Sequence, residues 1–165
     1  MTSSAPSWSA SPGAGTLPLT EIRHLTGLEQ LQRIVDGTFP VPPMAAHLDF
    51  ALVAVAEGFA RFEGTPRAEF YNPLGTIHGG WAATLLDSAL ACAVHTTLPA
   101  GQAYTTLEIK VNLVRPIFDT SGPLASEGKV IHSGKRTATA EARLTDAAGR
   151  LYAHGTTTCL VFPME

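Results

Sequence analysis

The stretch 79–98, GGWAATLLDSALACAVHTTL, constrains the fold more than any other part of this chain. It is rich in Ala and Leu, apolar nearly all round, and closed by Pro99 and Gly101. That pattern predicts a helix buried on most sides rather than half-solvated. Such a helix has to be wrapped by something, and the residues after it alternate with a period of two. Across 103–114, Leu107, Ile109, Val111 and Leu113 alternate with Thr106, Glu108, Lys110 and Asn112. Across 136–144, Ala138, Ala140, Ala142 and Leu144 alternate with Thr137, Thr139, Glu141 and Arg143. Turn signals at Ser133-Gly134 and over 146–149 divide the last three strands into hairpins. Ahead of the helix, the apolar run 50–55, then Glu57-Gly58, FARFEG and RAEFY, reads as two strands or one long bulged one, ending at Asn72-Pro73. The expected order is strand, strand, helix, then four strands in a meander. That is an α+β fold, an antiparallel sheet curled around one long central helix.

The 165 residues suit one domain. Leu28, Leu31, Ile34 and Val35 recur at helical spacing after Thr26, so a short helix and linker are expected over 26–47, with the folded domain over 48–165. Residues 1–25 read as a flexible tail rich in Ser, Pro, Gly and Ala that leans on the domain or a neighbouring subunit if ordered. Its first twenty residues hold no Lys, Arg or apolar run, so no signal peptide is expected. The weakly charged segment 71–107 contains Asp87, Pro99 and Gly101, which argues against a membrane span. A net charge of -3 argues against nucleic-acid binding, which needs clustered cations. Cys92 and Cys159 form no C-x-x-C pair, so a reducing, cytoplasmic location is expected. The 6 histidines lack metal-ligand spacing, and no G-x-S-x-G elbow exists, so neither a metal site nor a serine hydrolase is expected.

Between Phe70 and Glu108 the only formally charged residue is Asp87, in the middle of the apolar helix. Desolvating a carboxylate there costs several kcal/mol unless it is paired, hydrogen-bonded or wet. One explanation is a structural Asp meeting a backbone N–H or a partner charge. The sharper one is a general base or nucleophile in an apolar cleft. Just before the helix stand Asn72 to Gly80, NPLGTIHGG. The first-turn amides at Gly79 and Gly80 have no intrahelical partner and sit at the positive end of the helix dipole. They suit an oxygen turning into an oxyanion, although two glycines also simply let a helix pack closely on a strand. Gly79 and Asp87 are eight positions apart, roughly 12 Å along a helix axis. A base and an oxyanion donor must both approach the reacting centre to about 3 Å, so one straight helix cannot supply both. Two antiparallel copies can, which makes a catalytic reading imply at least a dimer.

The run NPLGTIHGGWAATLLD, followed by TTLEIKVNLVRP, resembles the hotdog thioesterases of the phenylacetate-degradation (PaaI-like) type, and the likeness spans about residues 50–162. The resemblance implies a hotdog thioesterase domain over 48–165, hydrolysing an aryl or short- to medium-chain acyl-CoA. It implies a dimer or a tetramer of two dimers, with active sites shared between subunits. Coenzyme A enters only as part of the substrate, and no separate cofactor is expected. By that likeness Asp87 orients water or attacks the thioester, the Gly79 amide polarises its carbonyl, Asn72 helps position the nucleophile or carbonyl, and His78 shapes the loop. Thr106 matches a hydroxyl residue on the strand after the helix. Arg115, Lys135 and Arg136 are candidate contacts for the coenzyme A phosphates, against the plainer reading of the Lys-Arg pair as a solvated turn. Some members carry a Thr four residues past the acid, where this chain has Ala91; Ser88 or Thr84 could supply that hydroxyl.

Two other readings stay open on sequence. A hotdog acyl-thioester dehydratase or hydratase would need a His and an acid converging, which His78 and Asp87 could mimic. A non-catalytic acyl-CoA-binding regulator would use the same pocket as a sensor. Ser88 points about 100° away from Asp87 on a helix, wrong for a nucleophile–base pair. His95 reads as a satisfied helix-end residue and Cys92 as core filling.

Overall fold

The computed structural model describes residues 13–164. Three short helices come first: α1 (Leu19–Ile22), α2 (Gly27–Val35) and α3 (Pro43–His47). The hairpin β1 (Phe50–Ala56) and β2 (Phe59–Gly64) leads to the long helix α4 (Gly79–His95). Four strands complete the chain: β3 (Gln102–Leu113), β4 (Leu124–Ser133), β5 (Thr137–Thr145) and β6 (Leu151–Pro163). All six strands form one antiparallel sheet in the order β1-β2-β4-β5-β6-β3. The sheet wraps α4, as expected from the helix's composition.

Leu85, Leu86, Ala89, Leu90, Ala93 and Val94 have no exposed surface. The helix lies so close to β4 that a Cβ on Gly128 would collide with the Ala89 carbonyl. Register slips between Leu52 and Ala54, Thr106 and Glu108, Val130 and His132, and Leu144 and Thr145 let the sheet bend around it. At the N-terminal end, Trp81 Nε1 donates to Leu48 O at 2.9 Å and its ring stacks on Phe70, fixing where the helix begins. The C-terminal end comes earlier than the 79–98 pattern suggests. The hydroxyls of Thr96 and Thr97 turn back to donate to Ala93 O and Val94 O, closing the last turn before Pro99 is reached.

Two strand expectations need correction. RAEFY is not a strand; Ala68–Phe70 is a single 3-10 turn on the way to the helix. The last four strands are not a simple meander either. β4, β5 and β6 follow one another, but among the described residues β3 pairs only with β6, at the sheet edge, and the chain crosses back to lay β4 beside β2. Consequently the β3 alternation does not all face a core: Leu107 is 59% and Leu113 55% exposed, while Val111 packs inward. The bulge after Thr106 offsets the two halves of that strand.

The expected helix after Thr26 is α2. Thr26 and Glu29 form a reciprocal capping box, with Thr26 N–H donating to Glu29 Oε2 at 2.8 Å and Glu29 N–H to Thr26 Oγ1 at 3.3 Å. The helix docks on the end of α4: Gly27 N–H donates to Leu98 O at 3.0 Å, and a Cβ at Gly27 would strike the His95 carbonyl. Of the expected tail, residues 1–12 lie outside the described residues. Within the rest, Ala14 bridges Val41 and α1 forms. Among the described residues no helix is long and apolar enough to cross a membrane, and no metal-binding cluster occurs.

Candidate active site

Asp87 is half-buried at mid-helix. The structure brings Thr106 to it: Thr106 Oγ1 donates to Asp87 Oδ1 at 3.2 Å, joining β3 to α4. Both line a cavity of about 510 Å3 that also takes in Ser88, Ala91 and Cys92 of α4 and Tyr104 of β3. Phe50, Phe62, Met44 and Ala45 supply apolar wall. The Cys92 thiol is half-buried against this space rather than simply filling core, and burial, aided by the Asp87 carboxylate, pushes it up to about 12. It is therefore held as a neutral thiol, no nucleophile. Burial likewise holds the Tyr104 phenol well above its usual range, with its neighbours Cys92, Cys159 and Asp87 adding to the effect.

The start of α4 makes a second, separate concavity of about 290 Å3, lined by Asn72, Gly79, Leu113 and Arg115 among others. His78 is the N-cap, and its Nδ1 accepts from Gly80 N–H at 2.9 Å, so Nε2 carries the ring hydrogen in this arrangement. Trp81 N–H goes to His78 O at 3.0 Å. Among the described residues nothing accepts the Gly79 N–H, which leaves it available beside the concavity. Gly79 is also tightly packed, since a Cβ there would come within 2.6 Å of Leu113 Cδ1. The glycine therefore serves close packing and an open amide together.

Asn72 organises its own loop. Its Oδ1 accepts from Leu74 N–H at 2.9 Å and Thr76 N–H at 3.3 Å, and its Nδ2 donates to Thr76 Oγ1 at 2.8 Å. It reaches the Gly79 concavity as a lining residue. Of the two alternative hydroxyls, Thr84 donates to Gly80 O at 2.8 Å and is occupied within the helix, while Ser88 lines the Asp87 cavity.

The two concavities share no lining residue. Within one chain, Asp87 with Thr106 and Gly79 with Asn72 therefore lie in two separate concavities, as the helix spacing requires. Within one chain His78 and Asp87 do not converge: His78 caps the first turn, and Asp87 follows nine positions later on the same helix. The cations are divided too. Arg115 lines the Gly79 concavity, where its Nε donates to Leu151 O at 3.3 Å. Lys135 and Arg136 are exposed in the β4–β5 turn, which the Ser133–Thr97 hydroxyl contact at 2.9 Å ties to the other end of α4.

A thioesterase-superfamily profile matches residues 74–153. A solved structure from the thioesterase superfamily is 33% identical, with a TM-score of 0.66, and the match covers 82% of this chain and 98% of that one. The chain belongs to the thioesterase superfamily. Its six-stranded antiparallel sheet around α4 is the hotdog fold, and its enzyme class is thioester hydrolase. A crystal structure of a putative thioesterase from Ralstonia eutropha JMP134, described as a phenylacetic acid degradation-related protein, is 28% identical over 79% of this chain and 98% of that one, with a TM-score of 0.71. The proofreading thioesterase EntH of Klebsiella pneumoniae is 27% identical over 65% of this chain and 77% of its own length.

The residues that sequence reasoning missed are Met44, Phe50, Phe62 and Tyr104, which build the cavity around Asp87. Only Tyr104 carried a readable signal: it stands two residues before Thr106 and so shares its strand face.

Proposed function

We propose that this protein is an acyl-CoA thioesterase, with Asp87 and Thr106 of one subunit completed by the Gly79 amide of the partner subunit. The observation that carries the reading is the Thr106–Asp87 hydrogen bond opening into a mainly apolar cavity, within a thioesterase-superfamily fold. An apolar trough suits the acyl group, and the Asp87 carboxylate lines the space that a thioester would enter. As base, Asp87 takes a proton from water while the water oxygen bonds to the carbonyl carbon. The carbonyl oxygen becomes an oxyanion facing the partner's Gly79 N–H. Collapse of that intermediate breaks the C–S bond; the thiolate leaves and takes up a proton, and the free acid remains. As nucleophile, an Asp87 carboxylate oxygen would bond to the carbonyl carbon while the C–S bond breaks and the thiolate leaves to take up a proton. Water would then open the resulting anhydride to the free acid and the restored carboxylate.

The shared site also gives the β3 edge a purpose. That edge has unpaired backbone groups and exposed Leu107, Ile109 and Leu113, the kind of surface that pairs with another strand. Pairing two copies there supports a dimer or larger homo-oligomer in which the two half-sites meet. Arg115, Lys135 and Arg136 are the proposed contacts for the coenzyme A phosphates, as charge partners at the ends of α4. The test is thiol release across aryl- and alkyl-CoA substrates. Steady turnover supports an enzyme on these thioesters, whereas tight binding without thiol release would contradict it.

A further inference from the structure

Asp87, Ser88, Ala91 and Cys92 occupy one stripe of α4, and all four face the same cavity. Tyr104 and Thr106, two residues apart on β3, run alongside. Thr106 meets Asp87 at one end, and the Tyr104 hydroxyl lies beside the Cys92 thiol at the other. Five helical residues span roughly 7.5 Å and two strand residues roughly 6.6 Å, so the two elements agree on the separation. The trough thus has a reacting end and a second end about 7 Å away.

That second end is backed by further residues. One turn beyond Cys92, the His95 ring packs on Tyr104 with centroids 5.2 Å apart. His95 Nε2 meets Gln30 Oε1 at 3.1 Å. Gln30 is itself buried on α2, and its Nε2 donates to Ile22 O at 3.2 Å and Leu25 O at 3.0 Å. Since the amide nitrogen is committed to two carbonyls, Oε1 must face His95 and accept from it. Gln30 also lies outside the span that the superfamily profile matches. The wall is therefore braced by a part of this chain that need not be shared across the superfamily.

We propose that Tyr104, with Cys92 beside it, is the end wall of the acyl trough and sets the largest acyl group the enzyme accepts, with His95 and Gln30 as positioning residues that brace the wall. The proposal rests on the assignment of Asp87 to the reacting end. It names the substrate class as uncharged acyl groups reaching about 7 Å past the carbonyl, a single ring or a short to medium chain. Long-chain acyl groups are excluded by length. Acyl groups with a terminal carboxylate are disfavoured because, among the described residues, no Lys, Arg or His lines the cavity and the Asp87 carboxylate would repel a second negative charge.

The test uses straight-chain acyl-CoAs of increasing length for turnover and the matching S-alkyl-CoA thioethers, which cannot be hydrolysed, for binding by calorimetry. For the parent protein, kcat/KM and affinity should rise about fourfold per methylene while the trough fills, then drop. Tyr104→Ala should move that drop to chains longer by about two carbons. Cys92→Leu, which fills rather than empties the trough, should move it to shorter chains and serves if the alanine variant does not fold. Gln30→Leu should blunt the drop; a lowered melting temperature with an unmoved cut-off would make the brace merely structural. A cut-off unmoved by both Tyr104→Ala and Cys92→Leu, or a loss uniform over all lengths, would overturn the wall. The two readouts separate the claims. A thioether cut-off that shifts without any thiol release defeats the thioesterase assignment and keeps the wall, whereas turnover with a fixed cut-off does the reverse.

Discussion

The Thr106 hydroxyl donates to Asp87 Oδ1 at 3.2 Å, so an edge strand and the central helix meet at the one carboxylate within the apolar segment. The bond consumes one lone pair of Oδ1 and steers the carboxylate into the cavity.

Thr106→Val keeps the shape of the side chain and deletes the donor. Hydrogen bonds to charged groups are worth about 1.5–3 kcal/mol, so kcat should fall roughly 10- to 100-fold. Steady-state kinetics with one acyl-CoA checks this. Unchanged kcat would mean that the hydroxyl plays no part in holding Asp87.

Much of this arrangement was legible because it is periodic. The nearly all-apolar run from Trp81 to Val94 required wrapping, the Thr26 cap located α2, and the eight-position gap between Gly79 and Asp87 kept the two in separate concavities. Strand order was not legible. The alternation in 103–114 says that a strand exists but not which neighbour it takes, and β3 leaves the meander to pair with β6. Phe70 and Tyr71 look like strand residues, yet Phe70 is used to stack on Trp81 and hold the helix start. The cavity wall was hidden for another reason. Met44, Phe50 and Phe62 come from three separate elements, and no local pattern records that they meet. His95 was expected to be satisfied; it is so at Nε2 only, while Nδ1 is buried without a partner.

The shared site predicts assembly through β3. Sedimentation at micromolar concentration should show a dimer or larger species. Ile109→Lys, at the exposed edge, should weaken that assembly and lower activity in parallel. A fully active monomer would contradict the two half-site arrangement.

Acid should weaken the fold through His95. Burial lowers its imidazole from 6.5 to about 4, and its packed neighbours Tyr104 and Gln30 carry no charge to offset this. The native state therefore refuses a proton that the unfolded chain accepts. Stability is whole above about pH 6.5 and drains as the pH falls from there towards 4, by up to about 3 kcal/mol. Urea denaturation of the parent protein and of His95→Gln across that window checks it: the difference between them should shrink in the variant's favour as acid is added. Parallel curves would show that His95 does not titrate there.

Lys135 and Arg136 test the nucleotide contact. Replacing both with Ala should raise KM for an acyl-CoA several-fold and leave acyl-pantetheine, which lacks the nucleotide phosphates, little changed. Equal damage to both substrates would make the turn structural.

The central claim is that Asp87 performs chemistry, and the most direct test measures kcat and melting temperature on the same Asp87→Asn protein. Asparagine keeps the shape and can still accept from Thr106, so the fold should hold or gain stability as a half-buried charge is removed. Turnover should fall roughly 10²–10⁴-fold, the usual cost of one positioned base, while substrate binding survives. A variant that melts early yet turns over near the parent rate would contradict the account and return Asp87 to a structural role.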